Sequence, residues 1–286
     1  MSKFAVFILT YGRAENVKTY NTLRKQGYTG KIYLICSDDD KTLKDYKENY
    51  KDEVIVFCKD DYVDKFDIGD NFDDMRMVVY ARNAAWDIAE SIGIDYFLVL
   101  DDDYMRFNFI ADSNGNYKQK LCKNLDKIFN IFLEYYKSTN ALSIATIQTG
   151  DLIGGEQNRM FSGGFMKRKV MNTFFMSTKR RFKFVGRINE DVNTYITLGN
   201  KGELFLQLPD IILLQTPTQE NSGGLTDFYL DTGTYFKSFY TVMYAPSCSK
   251  VAIMKGVSNP RLHHLISWNN AVSCIINEKY KKVSNG

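Results

Sequence analysis

Histidine, clustered cysteine and long apolar runs are all scarce in this 286-residue chain. The five cysteines, Cys36, Cys58, Cys122, Cys248 and Cys274, are widely scattered, odd in number and without CxxC spacing. Reduced thiols in a cytoplasm are the simplest account. No window approaches the roughly 18 continuous apolar residues that a membrane span needs, so no membrane partner is expected. The N-terminal apolar stretch is too short for a signal peptide and leads straight into a strand. There is no internal repeat and no low-complexity linker. Charge is nearly balanced, 37 Lys and Arg against 34 Asp and Glu for a net +3, which neither demands nor excludes a polyanionic partner. The only histidines, His263 and His264, are adjacent.

Hydrophobic content of 44% and aromatic content of 14% are ample for a large core. Apolar runs at Phe4 to Leu9, Lys31 to Cys36 and Val54 to Cys58 read as strands. Residues 16–27 and 75–91 have helical spacing and stop at Gly27 and Gly93. Strand and helix alternating in this way predict an α/β fold with a mainly parallel sheet flanked by helices. Beyond residue 104 the pattern changes. Met105 to Ile110 and Tyr117 to Leu121 flank an Asn-Gly turn and predict a hairpin; a helix over 125–136 and a strand over 142–148 follow. Residues 149–164 are glycine-rich loop, 192–198 helix, 204–208 strand, and an aromatic-rich helix is expected near 227–240. One domain over 1–286, with an elaborated second half after residue 104, is the economical organisation.

Chemistry concentrates at Tyr96 to Asp103, where an apolar run fit for a strand buried on both faces breaks into Asp101-Asp102-Asp103. In extended geometry Asp101 and Asp103 point one way and Asp102 the other. Two hard oxygen donors at a strand end suit Mg²⁺ or Mn²⁺; an acidic turn capping the next element is the alternative. The apolar row of the 75–91 helix is interrupted by Arg82. A guanidinium on that face needs a partner, either an aspartate of the strand end or a phosphate reached at the same site. Between Lys167 and Arg187 lie eight basic residues and no acidic one, including Lys167, Arg168, Lys179, Arg180, Arg181 and Lys183, with Phe174, Phe175, Phe182 and Phe184 interleaved. This block fits either a solvated face or a phosphate-backbone contact surface. Glu190 and Asp191 open the next helix, where they serve as caps or as an oriented general base. His263 and His264 either pack or complete an aspartate metal site.

In order and spacing over residues 4–270 the chain resembles the glycosyltransferases of GT-A fold, a Rossmann-like architecture. The resemblance rests on Thr10-Tyr11-Gly12-Arg13, Ser37-Asp38-Asp39, Ala81-Arg82-Asn83, Asp101-Asp102-Asp103 as a DxD motif, Ser162-Gly163-Gly164, Glu190-Asp191 and a late histidine. It implies a nucleotide-sugar-binding half over 1–104 and an acceptor-binding half over 105–286. Thr10, Tyr11, Gly12, Arg13, Asp38, Asp39, Arg82 and the Asp101-Asp102 pair would line the donor site, with Asp102 serving chiefly the surrounding structure. Gly163 and Gly164 would let the backbone approach the sugar. Asp101 and Asp103, with His263 or His264, would bind Mn²⁺ or Mg²⁺. Asp191 or Glu190 would be the catalytic carboxylate. The segments Asn189 to Asn193 and Asn259 to His264, followed by Trp268, are similar to phage DNA-modifying and base J-type, TET/JBP-associated glycosyltransferases. That likeness implies transfer of glucose from UDP-glucose to a hydroxymethylpyrimidine in DNA, in the cytoplasm of a phage-infected bacterium. A glycan, lipid-linked or protein acceptor is the alternative, and a noncatalytic nucleic-acid-binding protein on the same scaffold is the second.

Overall fold

The computed structural model describes residues 3–148, 172–215, 235–254, 261–271 and 275–281. Its centre is a nine-stranded mixed sheet in the order β3-β2-β1-β4-β8-β7-β9-β5-β6. The first four strands are β1 (Phe4–Leu9), β2 (Ile32–Ser37), β3 (Val54–Phe57) and β4 (Tyr96–Asp101). All four run parallel, with β1 between β2 and β4. Helices α1 (Lys18–Lys25), α2 (Leu43–Tyr50) and α3 (Val79–Ser91) connect them. The second half adds β5 (Tyr104–Ala111), β6 (Tyr117–Leu121), α4 (Leu125–Ser138), β7 (Ser143–Gln148), β8 (Thr173–Ser177), α5 (Glu190–Asn200), β9 (Phe205–Gln215) and α6 (Lys237–Tyr244). A separate antiparallel pair, β10 (Ser249–Met254) and β11 (Arg261–Ile266), precedes the short α7 (Trp268–Ala271).

Alternation along each strand divides the core. Val6, Ile8, Leu34, Leu98 and Leu100 pack with Leu23 of α1, Tyr46 of α2 and Phe129 of α4. Phe7, Leu9, Ile35, Phe97 and Val99 face Trp86 of α3 and Val192 of α5. Because both faces are covered, the central strands read as continuous apolar runs. Each fully buried large side chain contributes about 1.5–3 kcal/mol.

Several elements differ from the sequence expectation. Helix α3 begins at Val79, not near Met75, and α2 was not anticipated because its charged sequence LKDYKENY buries only Tyr46. Strand β9 is twice the predicted length: it pairs in parallel with β7, slips register between Thr146 and Ile147, and goes on as the partner of β5. Pro209, which has no N–H for a ladder, sits at that slip. Strand β8 lies inside the basic block; every one of its residues is buried, and it runs antiparallel between β4 and β7. The aromatic residues of that block are therefore core. Phe182 and Phe184 pack on Trp86, their ring centroids 4.9 and 5.9 Å from its own.

The turn before α5 is tied to a distant loop. The Arg187 side chain is 1% exposed and donates to both oxygens of Asp70, at 2.7 and 2.8 Å, and to the Phe72 carbonyl at 2.6 Å. Tyr240 of α6 donates to the same carboxylate. Arg187→Met leaves Asp70 without its cation and should destabilise the fold by about 3–5 kcal/mol. A urea unfolding midpoint equal to that of the wild type would contradict this role.

Candidate active site

The acidic strand end is held by α1. Thr19 donates to the Asp101 carbonyl at 2.6 Å and accepts from the Tyr104 amide at 2.9 Å, which fixes the turn between β4 and β5. Strand alternation then sends the three carboxylates to different neighbours. Asp102 is buried on the α2 side, where it accepts from Thr10 at 2.8 Å and pairs with Arg13. Thr10 is also hydrogen-bonded to the Tyr46 hydroxyl at 2.6 Å, and that hydroxyl accepts from the Arg13 amide at 2.8 Å. Burial raises the Asp102 carboxyl above its ordinary range, opposed by Arg13 and Thr10. Asp102 thus braces the loop after β1.

Asp101 turns to the α3 side. Arg82, 2% exposed, donates from Nη2 to Asp101 Oδ1 at 2.9 Å and from Nε to Glu190 Oε1 at 2.6 Å. Its guanidinium lies over the rings of Phe174 and Phe184, at 5.3 and 5.7 Å. Among the described residues its Nη1, which is buried, has no hydrogen-bond partner. Burial alone would favour neutral arginine, but Asp101 and Glu190 outweigh it and keep Arg82 charged. Burial pushes Glu190 upward while Arg82 pulls it back. The residue that interrupts the apolar row of α3 is therefore paired with an aspartate of the strand end and, at once, with the first residue of α5.

Asn189 delivers that residue. It sits in the left-handed region at φ 56°, and its side-chain amide donates to the Lys237 carbonyl of α6 at 2.8 Å. Asp191, also buried, accepts from the Val192 amide at 2.7 Å. The histidines lie on the other side of this turn. His264 Nδ1 is 3.4 Å from the Asn189 amide nitrogen, and the two imidazoles stack at 4.2 Å between centroids. Among the described residues no three His, Cys, Asp or Glu side chains gather as a metal-binding group. Asp101, Asp103, His263 and His264 do not form one closed ligand set there.

Carboxylates and a cation nevertheless fit each other here. Asp101, Asp102, Asp103, Glu190 and Asp191 share this end of the sheet with the guanidinium groups of Arg13 and Arg82. Burial, together with the charges of Asp101 and Asp102, pushes the Asp103 carboxyl up to about 7. A divalent ion held by one or two carboxylates and completed by substrate phosphates relieves such crowding.

The neighbouring strand ends build a second polar cluster. Lys59, after β3, donates to Asp39 Oδ2 at 2.7 Å and lies 4.9 Å from the Tyr11 ring centroid. The Lys59 amide donates to Asp38 at 3.2 Å, and the Gly12 amide donates to Asp40 Oδ2 at 2.7 Å. Lys59 and Asp40 were not anticipated as site residues. The strand-end rule that singled out the end of β4 applies equally to the end of β3.

Most of the described part of the basic block is engaged within the protein. Arg180 donates to the carbonyls of Tyr136 and Ala141, at 3.1 and 3.0 Å. Arg181 pairs with Asp87 and Glu90, and Lys183 donates to the Lys65 carbonyl at 2.8 Å. Lys179 is exposed. Gly163, Gly164, Lys167 and Arg168 lie outside the described residues.

Protonation of Asp103 would compete with any divalent ion bound at this strand end. The apparent Mn²⁺ affinity should rise about tenfold per pH unit below about 7 and level off above it. Calorimetric titration from about pH 5.5 to about pH 8.5 measures this; a flat profile would remove Asp103 from the ligand set.

Comparison with known proteins adds the following. The family described as TET-Associated Glycosyltransferase matches residues 4–224. No curated protein matches the sequence. Among solved structures, S. aureus TarS 1-349 in complex with UDP is 14% identical and covers 86% of this chain and 66% of its own, with a TM-score of 0.48. The mannosyltransferase PcManGT from Pyrobaculum calidifontis, in complex with GDP-Man and Mn²⁺, is 10% identical over 86% of this chain and 74% of its own, TM-score 0.47. Glucosyl-3-phosphoglycerate synthase from Mycobacterium tuberculosis, in complex with Mn²⁺ and UDP-glucose, is 7% identical over 93% and 87%, TM-score 0.45. The chain spans just under two thirds of TarS 1-349 and 38% of the longer TarS structure. Among the described residues no helix is long and apolar enough to cross a membrane. With the family matched over residues 4–224, and with an α/β sheet that brings an acidic strand end to Glu190, the chain belongs to the TET-associated glycosyltransferase family.

Proposed function

We propose that the protein transfers a sugar, glucose, from UDP-glucose to the hydroxymethyl group of a modified pyrimidine in DNA, with Mn²⁺ or Mg²⁺ as cofactor. The observation that carries the transferase site is the Arg82 bridge, which holds Asp101 and the start of α5 at one strand end. The DNA acceptor rests on the family's TET association.

The chain's residues divide the work. Tyr11, Asp39 and Lys59 receive the nucleoside at the ends of the first three strands, and Arg13 sits beside it, braced by Asp102. Asp101 and Asp103 would hold the metal, which would supply positive charge to neutralise the diphosphate leaving group. Arg82 keeps Asp101 oriented. Asp191 takes the proton of the acceptor hydroxyl. Glu190 is the weaker candidate for that step, since one of its oxygens is engaged at 2.6 Å by a buried guanidinium.

Asp191→Asn should lower kcat about 10²- to 10⁴-fold with little change in donor KM; a rate near wild type would return the base to Glu190. Asp103→Ala should abolish Mn²⁺-dependent release of UDP while leaving the unfolding midpoint in place, and persistent turnover would sink the metal assignment. The proposal as a whole is tested by mass spectrometry of hydroxymethylated DNA incubated with protein, Mn²⁺ and mixed UDP-sugars. A hexose mass added to the DNA supports it. UDP release with no mass added to DNA would favour a glycan, lipid-linked or protein acceptor, the reading that the internal engagement of Arg180, Arg181 and Lys183 supports.

A further inference from the structure

Cations that the protein does not use itself gather around one buried side chain. Gln26, at the end of α1, donates from Nε2 to the Phe107 carbonyl of β5 at 2.8 Å and to the Cys122 carbonyl at 2.6 Å, and its Oε1 accepts from the Phe107 amide at 2.9 Å. Its own carbonyl accepts from the amide of Leu125, the first residue of α4, at 3.0 Å. Within two residues of these four positions stand Lys25, Arg106, Lys120, Lys123 and Lys127, all exposed. Among the described residues none of the five forms an ion pair or a side-chain hydrogen bond. The nearby carboxylates are already engaged. Asp126 accepts from the amide and the hydroxyl of Thr29, at 2.9 and 2.7 Å. Asp112, the one acid between Tyr104 and Asn124, accepts from the amides of Asn114 and Asn116 in the hairpin turn, at 2.9 and 3.1 Å.

Resting on the DNA acceptor proposed above, we infer that this flank of the protein, around Gln26, binds the phosphate backbone of the duplex beside the target base. A lysine on an edge strand is ordinary protection against sheet-to-sheet pairing, and Lys120 on β6 can serve that purpose. Arg106 cannot, because β5 is paired on both sides, and Lys25, Lys123 and Lys127 belong to no strand. Gathering five cations from separate segments costs mutual repulsion, which a polyanion relieves. Arg180, Arg181 and Lys183, by contrast, already have partners inside the protein. Helix α1 also sets the distance to the chemistry. Thr19 holds the Asp101 carbonyl, Thr22 donates to the carbonyls of Tyr104 and Met105 at 2.9 and 3.0 Å, and Gln26 closes the series. From Thr19 to Gln26 the helix rises about 10 Å, the axial length of about three base pairs. A duplex laid along α1 and β5 with its target base at the acidic strand end thus brings flanking phosphates onto these cations.

The test measures fluorescence anisotropy of a labelled duplex carrying one hydroxymethylpyrimidine, from about 50 to about 200 mM salt. Wild type is compared with the triple variant Lys120→Gln, Lys123→Gln, Lys127→Gln. Neutralising three phosphate contacts should make the salt slope shallower by about 3 and weaken binding at least about tenfold at the low-salt end. UDP-glucose with Mn²⁺ should bind this variant as it binds the wild type, which shows that the variant is folded. A control of equal net charge, Lys44→Gln, Lys47→Gln, Lys51→Gln, on and just after α2, should bind the duplex as wild type does. Wild-type affinity and slope in the first variant overturn the interface and leave its lysines as guards of the sheet edge. So does an equal loss in the control, which would reduce the effect to overall charge. If the wild type neither binds the duplex nor adds a hexose to it, the acceptor reading itself falls, and this surface with it.

Discussion

One buried guanidinium organises this end of the molecule. Arg82 is enclosed by Phe174 and Phe184 and cannot be solvated there, so its charge has to be met by carboxylates. Asp101 comes from β4 and Glu190 from α5, elements far apart in the chain. Leaving either carboxylate or the cation alone in that environment is costly; the arrangement is stable because all three are present. The start of α5 is therefore locked to the DxD strand end by electrostatic need as well as by the apolar packing of Val192 and Tyr195.

From that centre the polar network runs outward through identifiable contacts. Asp101 leads through Tyr104 to Asn172 and the ends of β7 and β9. Asp102 leads to Thr10, Arg13 and Tyr46. The turn between Gly186 and Asn189 is tethered on two sides, by Arg187 to the loop before α3 and by Asn189 to α6. The same loop leads into the helix that carries Arg82. Elements of the first and second halves of the chain consequently share these anchors.

The strand ends were legible because a short apolar run that breaks into acid or glycine is a local signal. Asp101-Asp102-Asp103 was singled out on that basis, while Asp39 and the loop at Thr10 to Arg13 came from the resemblance to GT-A glycosyltransferases; the opposite pointing of Asp102 followed from the two-residue period of a strand. The basic block has two readings in sequence for a physical reason. A run of Lys and Arg looks alike whether its partners are phosphates or the protein's own carbonyls, and Arg180, Lys183 and Arg187 turn out to satisfy carbonyls. Strand β8 was hidden within it, since five buried residues flanked by cations leave no clear period. The cations around Gln26 were not legible as a group because they come from segments far apart in sequence.

What the amino-acid sequence determined by itself is everything set by short-range pattern: the α/β alternation, the hairpin at Asn114-Gly115, the acid at the end of β4, and an arginine where a helix face should be apolar. What only the tertiary structure decided is partnership. Which carboxylates meet Arg82, which cations are already engaged, where His264 lies, and that β9 serves two neighbours through a slip near Pro209 all depend on contacts between residues distant in the chain. Local sequence dictates backbone conformation and the direction of a side chain; the burial of charge, which fixes what that side chain must touch, exists only once the elements have packed.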